Sequence, residues 1–104
     1  IPFPDRKVEA RIVAARVPQV PAHLNQQLVD FVQALRALDL RKHPSIAETI
    51  DWARTLLLMH AKELGGDLVR DTLNVLLKFE DDIVTTERAM PELLRLARRN
   101  GAAQ

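Results

Sequence analysis

One apolar stripe constrains the fold of this chain more than any other feature of its sequence. Five large apolar residues follow one another at spacings of four, three, four and three: Leu24, Leu28, Phe31, Leu35 and Leu38. That spacing places every member on one face of an α-helix, whereas a half-buried strand requires alternation at every second residue. The stripe therefore predicts an amphipathic helix that begins near Pro21 or Ala22 and packs against other helices.

The remaining chain also favours helices. Strand cues are scarce, because only 4% of the residues are aromatic, glycine occurs three times, and no Asn-Gly or Asp-Gly pair is present. Asp5 has the chemistry of an N-cap, which predicts a first helix to about Arg16. The inward residues of that helix are expected to be Val8, Ile12 and Ala15.

A third helix is predicted from residue 45 to about 64. Ser45 and Glu48 have the Ser-x-x-Glu spacing of a capping box. Trp52 and Leu57 are expected to be largely buried, within a wide apolar face: Ile46, Ile50, Trp52, Ala53, Leu56, Leu57, Met59, Ala61 and Leu64. Gly65-Gly66 is expected to end this helix with left-handed backbone geometry.

The last third of the chain predicts two further helices. The first runs from Leu68 to about Phe79, and the second is opened by Pro91 and runs to Arg99. Residues 80–82 are expected to form a helix end or a turn, and residues 85–90 a short turn. These elements predict an all-α bundle of four or five helices, in a single domain that spans residues 1–104.

Composition excludes several classes of function. A net charge of +1 gives no general attraction to nucleic acid or to a membrane surface, and no apolar run approaches the roughly 18 residues of a membrane span. The absence of cysteine excludes a disulfide framework and fits a reducing, cytoplasmic setting. Because the chain opens Ile-Pro-Phe-Pro with no initiator methionine and no signal peptide, we expect it to be a piece of a longer protein.

Few side chains offer catalytic or metal-binding chemistry. No Gly-x-x-x-x-Gly-Lys-Ser/Thr motif is present, so we expect the chain to bind ATP weakly or not at all and to have no catalytic residue of its own. The three histidines are too far apart in sequence to form a helical metal pair. Arg95, Arg98 and Arg99 favour a helix C-terminus over a nucleic-acid surface.

Arg41-Lys42-His43 is the cluster for which the sequence indicates a mechanism of anion binding. It precedes the predicted N-terminus of the third helix, where free N–H groups and the helix dipole attract anions. Two interpretations remain open: a phosphate-proximal site that uses Arg41 and Lys42, or a solvated loop.

Three stretches resemble the C-terminal lid of MoxR-type AAA+ ATPases, over residues 1 to about 80. They are Ile1-Pro2-Phe3-Pro4-Asp5 with Glu9, Ile12 and Val13; Phe31-Val32-x-x-Leu35-Arg36 with Leu40-Arg41-Lys42-x-Pro44-Ser45-x-Ala47-Glu48-Thr49-x-Asp51-Trp52-Ala53; and Leu73-x-x-Leu76-Leu77-Lys78. The Pro-Ser-x-Ala-Glu-Thr-x-Asp-Trp run is the specific part. In one respect the chain departs from many AAA+ lids, since the turn Ser45–Glu48 lacks the arginine that serves there as a second sensor of the γ-phosphate.

The resemblance implies a lid that follows a P-loop core, closes over ATP and Mg²⁺ at subunit boundaries and helps to form a hexameric ring. It implies chaperone-like remodelling of a partner, with von Willebrand factor A-domain proteins among the expected partners. An alternative is a stand-alone helical interaction module with no link to nucleotide. A third is a small nucleic-acid binder that uses the arginines near the C-terminus.

Overall fold

A computed structural model describes the backbone of residues 3–102 and the side chains of residues 3–99. Within those residues the chain is all-helical and contains six α-helices: α1 (Arg6–Arg16), α2 (Ala22–Leu35), α3 (Ile46–Leu58), α4 (Gly66–Leu76), α5 (Glu80–Arg88) and α6 (Met90–Ala102). The predicted all-α class is confirmed, while the predicted number of four or five helices is too low. The predicted domain spans residues 1–104, so its first two and last two residues lie outside the described part of the chain.

The second helix forms the centre of the bundle. It packs most extensively against α6 and also contacts α1 and α3. The four members of the apolar stripe within α2, Leu24 to Leu35, are fully buried, and Leu38 packs against the core just beyond the helix. The stripe therefore confirms the predicted helix and its inward face.

The inward face of α1 differs from the prediction. Asp5 caps the helix as expected, since its Oδ1 accepts the Val8 N–H at 2.9 Å. Glu9 and Val13 are the buried residues of α1, whereas Ala15 is exposed. The apolar spacing alone led to a face rotated by one position, because it did not anticipate a buried glutamate.

The third helix ends at Leu58, six residues before the predicted end. The His60 N–H donates to the Leu57 carbonyl at 3.0 Å, and the Ala61 N–H donates to the Leu56 carbonyl at 3.1 Å. This pair of bonds is the Schellman ending of a helix, and it places His60 in the left-handed region with φ 58°. The prediction for Gly65-Gly66 was therefore wrong: Gly65 is extended and precedes α4.

Residues 80–88 form a helix where the sequence predicted a turn. Glu80, Asp81 and Asp82 occupy the first turn of α5, where the helix dipole favours negative charge. The acidic triplet therefore begins a helix and does not end one. Pro91 is the second residue of α6, a position where the missing N–H breaks no helical hydrogen bond.

Trp52 joins three helices in the core. Its ring centroid lies 5.4 Å from that of Phe31 on α2, and its Nε1 donates to the Thr72 Oγ1 of α4 at 2.8 Å. Trp52 is fully buried, as predicted, while Leu57 is only partly buried at the edge of the core.

None of the helices among residues 3–102 has the length and apolarity that crossing a membrane requires.

We predict that Leu56, and not its neighbour Leu58, stabilises α3. Leu56 is 0% exposed and Leu58 is 79% exposed. Leu56→Ala removes buried methyl groups and leaves a cavity, so it should lower the free energy of unfolding by about 2 to 5 kcal/mol. Leu58→Ala is the matched control, which should stay within about 0.5 kcal/mol of wild type. Urea unfolding of both variants measures the difference, and equal losses would contradict this packing of α3.

Candidate functional site

The loop between α2 and α3 carries the predicted site residues. We call residues 39–44 the basic loop, because they include Arg41, Lys42 and His43. The backbone N–H of Arg41 donates to Asp82 Oδ1 at 2.8 Å, and that of Lys42 donates to Asp82 Oδ2 at 3.1 Å. Asp82 lies in the first turn of α5 and is only 2% exposed. The basic loop is therefore fixed to α5, about 40 residues further along the chain.

Arg41 stays at the surface and faces the start of α5. Its guanidinium carbon lies 4.4 Å from the centroid of the Phe79 ring, in a cation–π arrangement. Its Nη1 lies 3.7 Å from Asp81 Oδ2, and the Arg41 side chain remains 61% exposed. These contacts orient the guanidinium without removing it from water, so it can still reach an anion.

Lys42 shares a carboxylate with a lysine that the sequence did not single out. The Lys42 Nζ lies 3.4 Å from Glu48 Oε1, and the Lys78 Nζ lies 3.1 Å from Glu48 Oε2. Both lysine side chains are about half exposed. Lys42 and Lys78 therefore share a single glutamate, and together with Arg41 we call them the basic cluster.

Glu48 is also the partner in the predicted capping box, which is confirmed. The Ser45 N–H donates to Glu48 Oε1 at 2.9 Å, and the Glu48 N–H donates to the Ser45 Oγ at 3.2 Å. Burial raises the pKa of Glu48, but the hydrogen bond from Ser45 and the charges of Lys78 and Lys42 more than offset it. The pKa of Glu48 is therefore lower than its ordinary value.

A buried ion pair holds the other side of the basic loop. Arg36 follows α2, and its Nη1 and Nη2 donate to the two carboxylate oxygens of Glu9 at 2.7 Å each. The side chains of Arg36 and Glu9 are 6% and 0% exposed. The Arg36 Nε donates to the carbonyl oxygen of Pro44 at 2.9 Å. One guanidinium thus joins α1 to the end of the basic loop.

The same pair also fixes the segment that precedes α1. The ring of Phe3 lies 4.2 Å from the guanidinium carbon of Arg36. The Gln33 Nε2 donates to Glu9 Oε1 at 2.7 Å and to the Pro4 carbonyl at 3.1 Å. Phe3 and Pro4 thus contact Arg36 and Gln33, which together with Glu9 we call the buried polar network. It satisfies charges that would be costly if they were buried alone.

Two of the surface grooves among the described residues lie outside the basic cluster. One, of about 340 Å³, lies between α1 and α2, where Arg6 pairs with Asp30, and that carboxylate raises the pKa of Arg6. The other, of about 520 Å³, is an open surface of α6 that is lined by Pro91, Leu94, Arg95, Arg98 and Arg99. Glu92 forms an ion pair with Arg95 there, so the three arginines near the C-terminus are not equally available to bind another group.

The histidines do not come together. His43 Nε2 lies 2.9 Å from the Leu38 carbonyl oxygen and stabilises the turn of the basic loop, while His23 and His60 are exposed. Among the residues that the structure describes, no group of three or more His, Asp or Glu side chains could hold a metal ion.

Sequence reasoning identified Arg41, Lys42, Ser45 and Glu48 but missed their anchors. Asp82 was assigned to a helix end or a turn, and no local pattern pairs it with a loop so distant in sequence. A signal for Glu9 was present, because Glu9, Val13 and Val17 are spaced by four. A charged residue within such a stripe indicates a buried partner.

Comparisons with protein-family models, with curated proteins and with solved structures find no match for this chain. The functional conclusion therefore depends on the residues and their geometry.

We predict that Glu48 makes folding sensitive to acid. Its pKa is lowered in the folded state, so the ionised group contributes stability above its unfolded value of 4.5, and this contribution is lost as the pH falls through the folded pKa. Glu48→Gln removes the titration, so its free energy of unfolding should fall less than that of wild type between about pH 6 and about pH 2. Urea unfolding at each pH measures the two slopes.

The exposed Glu63 provides the control for this comparison. The Glu63→Gln variant should follow the wild-type acid profile. An identical pH dependence in wild type and Glu48→Gln would contradict the role of the two lysines around Glu48.

Proposed function

We propose that this chain is the C-terminal lid of a MoxR-type AAA+ ATPase. The parent protein would hydrolyse ATP with Mg²⁺ in a P-loop core that precedes the lid, and would remodel a partner from a hexameric, cytoplasmic ring. The expected partners of the lid are that core, the neighbouring subunits and a von Willebrand factor A-domain protein. The chain itself lacks the P-loop motif, so the proposed role is structural and regulatory.

One observation carries the proposal: residues that account for the resemblance contact one another across the fold. Phe3 and Glu9 of the opening stretch bind Arg36 of the second stretch. Arg36 also donates to the Pro44 carbonyl and, at 3.3 Å, to the Thr49 Oγ1. Residues that are dispersed in sequence thus form one structural unit, as a lid that uses the same motif would require.

The buried polar network also suggests how such a lid would follow its core. The opening segment is tied to α2 by the Gln33 hydrogen bond to Pro4 and by the contact of Phe3 with Arg36. Any displacement of a preceding domain would act on this segment and pass to α1 and α2 together. Arg36 would carry it on to Pro44 and the basic loop. The bundle would then move as one body, as hinge closure over a nucleotide requires.

Arg41 and Lys42 are the residues we propose to lie near the nucleotide. Their side chains are 61% and 47% exposed, and each is oriented by an acidic partner. In the proposed ring these cations would attract the phosphates of ATP at the closed subunit boundary. They would partly replace the second-sensor arginine that the turn Ser45–Glu48 lacks.

The alternative proposal is a stand-alone interaction module. The α6 surface favours it, because Pro91 and Leu94 provide apolar area beside Arg98 and Arg99. The reading frame that encodes residues before Ile1 distinguishes the two proposals. Walker A and Walker B motifs there support the lid, and their absence from the gene contradicts it.

We predict that the side chains of Arg41 and Lys42 control turnover in the parent ATPase and contribute little to folding. Arg41→Ala combined with Lys42→Ala should lower the steady-state ATP hydrolysis rate about tenfold or more, because preorganised cations stabilise charge on the phosphates. The melting temperature should change by less than about 3 °C, because exposed ion pairs contribute little to stability.

A matched control tests whether the loss of two positive charges is by itself sufficient to lower the ATP hydrolysis rate. Arg54 and Arg70 are exposed and each pairs with an aspartate three residues before it. Arg54→Ala combined with Arg70→Ala should retain the wild-type rate. A full rate in the Arg41/Lys42 variant at every ATP concentration would show that the cationic side chains of the basic loop have no role in turnover.

A further inference from the structure

The backbone donors of the basic loop are already bound to an anion, and that anion belongs to the protein. Each oxygen of the Asp82 carboxylate accepts one N–H, from Arg41 at 2.8 Å and from Lys42 at 3.1 Å. Successive N–H groups that converge on oxygens of one anion are a common means of binding phosphate. The same two residues also carry cationic side chains, which are paired with Asp81 and Glu48 but remain 61% and 47% exposed.

The helix that supplies Asp82 is weakly anchored by apolar contacts. Within α5, all of which the structure describes, the fully buried residues are Asp82 and Thr86, and both are polar. Ile83 is partly buried against the core, and Val84 is 43% exposed. The attachment of α5 therefore depends strongly on the hydrogen bonds of Asp82.

Thr86 makes this attachment weaker still. It is fully buried one turn after Asp82, and its hydroxyl meets no hydrogen-bond partner among the described residues. A buried hydroxyl without a partner destabilises the docked position of the helix that carries it. Elements held in this way are the ones that open locally while the rest of a protein stays folded.

We propose that α5 is a releasable latch, whose Asp82 carboxylate occupies a phosphate site at the Arg41 and Lys42 N–H groups. A phosphate-bearing ligand competes with Asp82 for these donors, and its binding releases the start of α5. The identification of that ligand with the phosphates of ATP rests on the proposed function, whereas the latch itself does not. In a lid, the release would couple nucleotide binding to a new surface on α5.

The latch predicts a low affinity for phosphate in the resting chain. When the donors are free for only a small fraction of the time, the apparent affinity for a ligand equals the intrinsic affinity multiplied by that fraction. Substitutions that loosen α5 should therefore strengthen phosphate binding, and substitutions that tighten α5 should weaken it. A basic surface that binds phosphate without a latch would not respond in this way.

The test is a pyrophosphate titration of the 104-residue chain, followed through the amide signals of Arg41 and Lys42 in proton–nitrogen correlation spectra. Asp82→Asn keeps the shape of the side chain but removes its charge and one acceptor. Thr86→Val replaces the unpaired hydroxyl by a methyl group of similar volume. Asp71→Asn, at an exposed residue of α4, is the control for loss of one negative charge.

We expect Asp82→Asn to bind pyrophosphate about tenfold or more tightly than wild type, with the largest shifts at the two amides. Thr86→Val should bind it about threefold or more weakly, because α5 is docked more firmly. Asp71→Asn should bind it as wild type does. In wild type, pyrophosphate should also accelerate the hydrogen exchange of α5 amides relative to those of α2.

The latch is overturned if the Asp82→Asn variant folds but pyrophosphate does not shift the amide signals of Arg41 and Lys42. If Asp82→Asn does not fold, the other measurements decide: unchanged affinity in Thr86→Val, together with unchanged α5 exchange in wild type, would also overturn it.

A parallel ATP titration separates the two proposals. Equal responses to ATP and pyrophosphate support recognition of phosphate alone, even where no P-loop precedes the chain. A response to ATP without one to pyrophosphate contradicts phosphate competition.

Discussion

The ion pair between Glu9 and Arg36 determines how the first half of the chain is assembled. Both charges are removed from water, which is tolerated only because their hydrogen bonds are satisfied by protein groups. Arg36 binds both oxygens of Glu9 and the Pro44 carbonyl, and Gln33 donates to Glu9 from α2. The first helix, the central helix and the basic loop are consequently held by a single guanidinium. The capping box at Ser45 begins one residue beyond this anchor.

The features that could be predicted from the sequence are those with a local cause. The α2 stripe depends on helical periodicity, and the caps at Asp5 and Ser45 depend on side chains within three residues of the donors they bind. The inward face of α1 could not be derived in this way, because Glu9 is buried through a partner 27 residues away. The end of α3 was mistaken for a different reason, which lies in the local backbone. A histidine adopts the left-handed position, although a glycine pair five residues later has the stronger intrinsic preference.

Only part of the candidate site could be predicted from the sequence. Arg41 and Lys42 were recognisable as a basic cluster before a helix, but their acidic partners come from different parts of the chain. Glu48 holds the side chain of Lys42, while Asp82 holds the backbone of the basic loop from α5. The loop is therefore neither a free solvated connection nor an open anion site. Its donors are occupied by the protein, and its cationic side chains remain exposed, which is the arrangement that competition by a phosphate requires.

A double-mutant cycle on Glu9 and Arg36 tests the central claim most directly. Glu9→Gln and Arg36→Met should each lower the free energy of unfolding by about 3 to 5 kcal/mol, because each leaves the opposite charge buried without its partner. The double variant removes both charges, so its loss should be smaller than the sum of the single losses by about 2 kcal/mol or more. Urea unfolding of the four proteins provides the values. Additivity within about 0.5 kcal/mol would contradict the account, since the two residues would then stabilise the fold independently.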